Sequence, residues 1–274
     1  MTTPDPRLPA VLSIAGSDSG GGAGIQADLK AFAACGVHGM TAITAITAQS
    51  TVGVDAVGAI DPELIVAQAR AVVDDIGVDA VKIGMLGTVE TIAAVERVLD
   101  LLDEGTPIVL DPVMVAESGA ALLAADARAA LVERLLPRVA VVTPNLPEAR
   151  AIAGQPEADA PALARAIHAL GPRCVVVTGG HRDAATDVFF DGAALVEIPG
   201  ERYPDGASHG SGCTHASALA AHLAHGFAPV EAARAAKAIA ARAVRDGLRE
   251  IGRGAGPVDV LNIRERRPHR PADT

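Results

Sequence analysis

The segment His209-Gly210-Ser211-Gly212-Cys213-Thr214-His215 brings a thiol, two imidazoles and two hydroxyls together on a glycine-loosened backbone. Ala216, Leu219 and Leu223 follow at helical spacing, which predicts a helix over 214–225 that a loop enters here. A helix N-terminus presents unpaired N–H groups and roughly half a positive charge. Such an end suits a transferring phosphoryl group and lowers the pKa of a thiol held in it, so Cys213 is a candidate base. The structural alternative is a small cysteine packing a Gly-rich helix start. A Cys–His nucleophile for hydrolysis is a rival, but His215, two positions along the helix, points to a different face from Cys213.

Other residues carry chemistry in the same style. The stretch from Gly16 to Gly24 lies between an apolar run and a helical pattern, as a phosphate-cradling loop would. Its spacing lacks the third glycine of a dinucleotide fingerprint, and no Gly-Lys-Ser/Thr follows to make a Walker loop. Close approach of backbone to a small ligand remains, as does a plain tight turn. Asp28, one helical turn beyond Gly24, is near enough to that loop to reach a ligand above it, or is a solvated helix residue. Gln49 offers a donor and an acceptor together, which matches an aminopyrimidine edge, unless it only caps a turn. Asn145-Leu146-Pro147-Glu148 reads as a capping box with an early helical proline. Asn145 and Glu148 could also hold a hydrated Mg²⁺ with Asp111, because that ion keeps most of its waters and needs few protein oxygens.

These residues need elements to position them. Short apolar runs at 10–15, 39–48, 80–83, 107–110, 139–142 and 174–177 predict buried strands. Helical patterns from Ile25 to Cys35 and over 62–75, 89–102 and 126–136 alternate with them, and two more helices start at Pro147 and Pro161. Runs at 187–190 and 194–198 flank Asp191-Gly192, a hairpin signal. Ala-rich helices over 214–225 and 230–244 follow. The order predicts one α/β domain over 8–263: a mostly parallel sheet with helices on both faces and an antiparallel edge. Sites in such sheets lie beyond the strand C-terminal ends, which gathers Gly16, Gln49, Met85, Asp111, Asn145, Thr178 and Cys213 on one edge.

The charge pattern narrows the partners. A formal net charge of -10 argues against nucleic acid or an anionic membrane. One Tyr, four Phe and no Trp leave little for base stacking. An acidic protein that handles phosphate must build its positive field locally. Three separated cysteines give no disulfide framework or zinc site. No apolar run reaches the roughly 20 residues that span a bilayer, and residues 1–7 lack a signal-peptide layout, so a cytoplasmic protein is expected. Residues 264–274, basic and without apolar periodicity, read as a disordered tail.

From about Ala10 to about Leu261 the chain resembles bacterial hydroxymethylpyrimidine and phosphomethylpyrimidine kinases of the ribokinase-like superfamily. The resemblance is carried by Ser13-Ile14-Ala15-Gly16-Ser17-Asp18, the run from Gly20 to Lys30, Lys82-Ile83-Gly84-Met85-Leu86, Thr143-Pro144-Asn145-Leu146-Pro147-Glu148 and Gly210-Ser211-Gly212-Cys213-Thr214. It implies a three-layer α/β/α sandwich. It also implies transfer of phosphate from ATP to 4-amino-5-hydroxymethyl-2-methylpyrimidine and then to its monophosphate, feeding thiamine synthesis. By the same resemblance Gln49 binds the pyrimidine edge, Asp28 and Met85 line the pocket, and Gly16 lies beside it. Cys213 accepts the hydroxymethyl proton, the N–H groups of Gly210, Ser211, Gly212 and Cys213 hold the moving phosphoryl, and Asp111, Asn145 and Glu148 organise Mg²⁺ against ATP. Members are commonly dimers, so a homodimer is expected.

One departure stands out. Many members carry Lys before Gly-Gly-His to neutralise ATP phosphates, and here that position is Thr178. Arg182, in the same loop as Gly180, is expected to restore the charge, with Thr178 contributing a hydroxyl. Lys237 and the Ala-rich helix around it are assigned to the adenine side. Two alternatives follow: a pyridoxal kinase, acting on another hydroxymethyl heterocycle, and a non-catalytic pyrimidine-binding protein, which Thr178 alone favours.

Overall fold

The apolar runs stack into one eight-stranded sheet in the order β10-β9-β8-β7-β6-β5-β1-β2. The computed structural model describes residues 7–117, 119–179 and 185–266. From β1 (Ala10–Ala15) the chain runs through α1 (Gly24–Ala34), β2 (His38–Ile43), β3 (Ala45–Gln49), β4 (Val54–Ala59) and α2 (Pro62–Asp75). β5 (Ala80–Ile83), α3 (Val89–Leu99), β6 (Ile108–Leu110), α4 (Ala125–Ala130), β7 (Val141–Val142), α5 (Leu146–Ala153), α6 (Ala160–His168) and β8 (Cys174–Val177) continue the alternation. β9 (Asp187–Phe190) and β10 (Leu195–Ile198) turn back as the antiparallel edge, and α7 (Ser211–Ala224) and α8 (Pro229–Arg245) complete it.

Each central strand is buried on both faces, which is why it reads as continuous apolar sequence. Leu12 and Ile14 of β1, with Leu110 and Val142, face α2, α3, α5 and α6, whereas Val11, Val109 and Val176 face α1, α7 and α8. This is the expected three-layer α/β/α architecture. Parallel pairing of β2, β1, β5, β6, β7 and β8 puts their C-terminal ends on one edge.

Two sequence expectations change. The run 39–48 is two strands, because Thr44 breaks away: its N–H donates to Ala15 O at 3.0 Å and its hydroxyl to Met85 O at 2.7 Å. Beyond it β3 leaves the main sheet to pair with β4, an unexpected strand with five of its six residues exposed and hence no apolar alternation. The helix over 126–136 ends early: after α4 the chain widens into a π-turn at Leu131–Leu135 and tightens to a 3-10 turn at Leu136–Arg138. Pro137 has no N–H to continue it. The tail expected at 264–274 falls largely on residues 267–274, outside the described residues.

Candidate active site

Two loops interlock at the sheet edge. Gly24 takes φ +55°, where a Cβ would lie 2.4 Å from Gly16 O, and Gly210 takes φ +84°, where a Cβ would lie 1.8 Å from Gly22 O. Only glycine permits this contact of backbone on backbone. Asp18 organises the first loop: Oδ1 accepts from Gly20 N–H at 2.8 Å, and Oδ2 from Gly22 and Ala23 N–H at 3.0 and 2.8 Å. His209 Nε2, from the second loop, lies 2.9 Å from the same Oδ2. Burial works against the Asp18 carboxylate, yet His209 and the backbone donors outweigh it and hold the carboxyl below its usual range. His209, bonded to Asp18 and to Glu117 in the loop after β6, is pushed up to about 9.

Gly210 caps α7, whose first turn opens outward: Gly212 is exposed, and a Cβ there meets nothing within 4 Å. Ser211 N–H is engaged by Ser208 O at 2.9 Å, which removes it from the expected anion donors. Cys213 sits at this turn above a buried charge network. Lys82 Nζ pairs with Asp28 at 3.0 Å and approaches Asp111 to 3.9 Å. Ser13 and Ser217 donate to the two Asp28 oxygens at 2.6 and 2.7 Å. Asp28 is therefore neither solvated nor a pocket wall. Its carboxylate is fully buried and bonded on both oxygens, so it supports the site from beneath.

The expectation of a lowered Cys213 pKa is also reversed. Burial pushes the thiol up to about 12; Lys82 opposes this, and the carboxylates of Asp28 and Asp111 add to it. Neither histidine serves it as a base, since His209 holds Asp18 and His215 lies against Asp187, so the hydrolase arrangement does not form.

Beside Cys213, at the ends of β6 and β7, stand Asp111 and Glu148. Burial, reinforced by Asp111, pushes Glu148 up to about 8. Burial also raises Asp111, with Lys82 opposing it and Asp28 adding to the rise. A cation would relieve this crowding of negative charge, so the pair fits Mg²⁺. Among the described residues no three His, Cys, Asp or Glu side chains enclose a metal position, so the fit is to a hydrated ion on two carboxylates. Asn145 is a poorer candidate ligand than its sequence suggests. Its amide oxygen accepts the Glu148 N–H at 2.9 Å while Glu148 accepts the Asn145 N–H at 2.9 Å, a complete capping box.

Gln49 ends β3 over the glycine loop, its backbone tied to Ser19 by bonds of 2.7 and 2.8 Å. Gly16 and Met85 are adjacent, since a Cβ on Gly16 would lie 3.2 Å from Met85 Sδ.

Thr178 leaves β8 with its N–H on Pro144 O at 2.9 Å, and Gly179 N–H donates to Asp187 Oδ1 at 2.8 Å. Gly180 and Arg182 lie outside the described residues. Lys237 bonds Asp187 at 2.6 Å and also lines a groove of about 660 Å³ with Pro199, Gly200, Tyr203, Ala238 and Ala241. A smaller recess of about 310 Å³, lined by Arg245, Arg249 and Arg264, contains none of the expected site residues.

The profile of the family described as Phosphomethylpyrimidine kinase matches residues 18–259. The chain belongs to this family. It is 55% identical over 256 residues to the hydroxymethylpyrimidine/phosphomethylpyrimidine kinase of Rhizobium meliloti, covering 90% of this chain and 95% of that one. It is 44% identical to the Thiamine biosynthesis bifunctional protein ThiED of Geobacter sulfurreducens, over 92% of this chain and 52% of that protein. Among solved structures, the ADP complex of Bacillus subtilis pyridoxal kinase superposes with a TM-score of 0.85 at 38% identity, covering 94% of this chain and 99% of that one. The ribokinase-like fold is thereby shared with pyridoxal kinases.

Spacing alone missed Asp18, Lys82, Asp187 and the Asp18 bond of His209. A signal existed for two of them. Asp18 precedes Gly20 and Gly22, whose N–H groups it accepts, as a turn-forming Asp does. Lys82 interrupts the apolar run Ala80-Val81-Lys82-Ile83, and a lysine inside a buried strand requires a partner.

Proposed function

We propose that this chain transfers phosphate from ATP to the hydroxymethyl group of an aminopyrimidine, 4-amino-5-hydroxymethyl-2-methylpyrimidine, and then to the resulting monophosphate, a step of thiamine diphosphate synthesis. The observation that carries this is the meeting, at one sheet edge, of the α7 N-terminus bearing Cys213 with the glycine loop and the carboxylates of Asp111 and Glu148. Phosphoryl transfer asks mainly for alignment and charge, which such an edge supplies.

Gln49 reads the pyrimidine edge, with Gly16 and Met85 beneath the ring. The N–H groups of Gly212 and Cys213 receive the moving phosphoryl, and Gly210 sets their direction by its left-handed turn. Cys213 takes the proton of the substrate hydroxyl in its thiolate form, which burial opposes first and the carboxylates of Asp28 and Asp111 next, so a cation close by must favour that form. Asp111 and Glu148, the latter fixed by Asn145, would hold Mg²⁺, which would supply that positive charge and neutralise ATP phosphates. Adenine rests in the groove of Pro199, Tyr203, Ala238 and Ala241, and Lys237 with Thr178 borders the phosphates. The reaction takes place in the cytoplasm between small molecules, without nucleic acid or membrane, and the working form is a homodimer. No helix among the described residues is long and apolar enough to cross a membrane.

The likeness to Bacillus subtilis pyridoxal kinase favours a second reading, a pyridoxal kinase, though its identity of 38% falls below the 55% shared with the Rhizobium meliloti kinase. A mass-resolved assay with Mg·ATP and either heterocycle separates them. Pyrimidine monophosphate followed by diphosphate is expected. Pyridoxal phosphate alone would transfer the assignment, and no product from either would leave a binding protein.

A further inference from the structure

Among the described residues, the buried side-chain atoms without a hydrogen bond are Asp187 Oδ2 at the start of β9 and, near the start of α7, Thr214 Oγ1 and both ring nitrogens of His215. Buried polar groups are nearly always paired, and here Asp187 Oδ2 and His215 Nε2 face each other at 3.3 Å without a full hydrogen bond. Asp187 opens β9, and pairing of Val188 with Val177 of β8 brings it to the edge where Thr178 and Gly179 leave the sheet. Its Oδ1 accepts from Gly179 N–H at 2.8 Å and from Lys237 Nζ at 2.6 Å. Its Oδ2 lies 3.3 Å from His215 Nε2, near enough for a bond but misaligned for one. One carboxylate thus has two partners, Lys237 at 2.6 Å on Oδ1 and His215 at a looser 3.3 Å on Oδ2.

Lys237 also belongs to the groove. Its stem passes against Gly200, where a Cβ would fall 2.3 Å from Lys237 Cε, and its side chain forms part of the groove wall. The other two lysines of the chain are held elsewhere: Lys82 on Asp28, and Lys30 on Gly21 O at 2.7 Å. Thr178 brings no charge to the end of β8. Lys237 is the lysine within reach of both the Gly179 backbone and the groove.

We propose that Asp187 and His215 are positioning residues for the nucleotide. Asp187 fixes the Gly179 N–H and holds Lys237 in reserve on Oδ1, and His215 closes on Oδ2 when Lys237 turns into the groove toward phosphate. Withdrawing a cation from a buried carboxylate leaves an uncompensated charge unless another donor replaces it. A ring whose Nε2 already lies 3.3 Å away needs only a small rotation, with the proton on that nitrogen, to do so.

This inference rests on the ATP-using reading above, and ADP binding tests it without turnover. Calorimetry of the full chain with Mg·ADP is compared for wild type, His215→Leu and His215→Gln, with KM for ATP and for the pyrimidine measured beside it. Loss of the standby bond in His215→Leu should weaken ADP and raise KM for ATP by about tenfold, with KM for the pyrimidine little changed. His215→Gln, whose amide N–H reaches the same carboxylate, should recover most of the loss. Equal ADP affinity in wild type and His215→Leu would overturn the inference, as would equal losses in the two variants. If His215→Leu does not fold, His215→Phe replaces it in the comparison. Wild-type chain that binds no ADP would overturn the ATP reading itself, and this inference with it.

Discussion

Lys82 Nζ lies 3.0 Å from Asp28 Oδ1 with neither side chain exposed, directly beneath the turn that carries Cys213. A buried pair of this kind is costly to break from one side. Asp28→Asn leaves the Lys82 ammonium with only the more distant Asp111 carboxyl, at 3.9 Å, and should lower stability by about 3 kcal/mol. The double variant Lys82→Met with Asp28→Leu removes both charges and should be less destabilised than either single change. Urea unfolding of wild type, Lys82→Met, Asp28→Leu and the double variant measures the coupling, and additive losses would mean that the pair is not a unit.

The Asp18–His209 pair makes a pH prediction. The folded pKa of His209 is raised to about 9, so its contribution is fully present below about pH 6.5, the usual histidine value, and is lost as pH rises through about 9. That of Asp18 is lowered, so its contribution is present above the usual carboxyl value of 3.8 and is lost as pH falls through its folded pKa. The stability difference between wild type and His209→Gln should therefore be greatest near pH 5–6, at about 2 kcal/mol after allowance for solvent near Glu117. It should narrow steadily toward pH 9.5. A difference that grows with pH would mean that His209 is bonded as the neutral ring.

Cys213 should behave as an unreactive thiol in the free protein despite its helix end. With the thiol pushed up to about 12, its alkylation rate should climb with pH and show no plateau below about pH 10. Mass-resolved iodoacetamide labelling distinguishes it from Cys35 and Cys174, both also pushed up by burial, to about 11. Cys213→Ala should reduce turnover by about 10²–10⁴-fold, the range of a lost general base, while pyrimidine affinity stays nearly intact. Unchanged turnover would return Cys213 to a packing role.

These three cases show where the sequence could and could not be read. The strand ends that carry Asp111, Thr178 and Met85 follow from local apolar periodicity, and the Asn145–Glu148 box follows from residue types three apart; each rests on neighbours in the chain. Asp28–Lys82, Asp18–His209 and Asp187–Lys237 join residues 54, 191 and 50 positions apart. No spacing rule links such partners, so Asp28 read as a pocket-lining or solvated helix residue until the fold placed Lys82 against it. The thiol pKa failed for the same reason: the helix N-terminus is local, but the burial and the carboxylates that outweigh it come from β1, β5, β6 and α1. The split at Thr44 was hidden because its hydroxyl bond to Met85 O replaces a turn signal with a long-range contact.

Two glycines of one loop should separate packing from catalysis. Gly210 holds φ +84° with Gly22 O where a Cβ would lie at 1.8 Å, so Gly210→Ala must push the two loops apart. Its cost should be about 3 kcal/mol or more, combining backbone strain with a steric clash, and turnover should fall with stability. Gly212 is exposed in the first turn of α7 and a Cβ there touches nothing. Because alanine is the better helix former by up to about 1 kcal/mol, Gly212→Ala should melt at or slightly above wild type. Its methyl would nevertheless stand in the open space before the helix end, where the moving phosphoryl is placed, so turnover should drop at least about tenfold, or roughly 1.4 kcal/mol of barrier. Thermal melts and steady-state rates of the two variants decide the matter. If Gly212→Ala kept wild-type turnover along with wild-type stability, the phosphoryl group would have to bind elsewhere than at the N-terminus of α7.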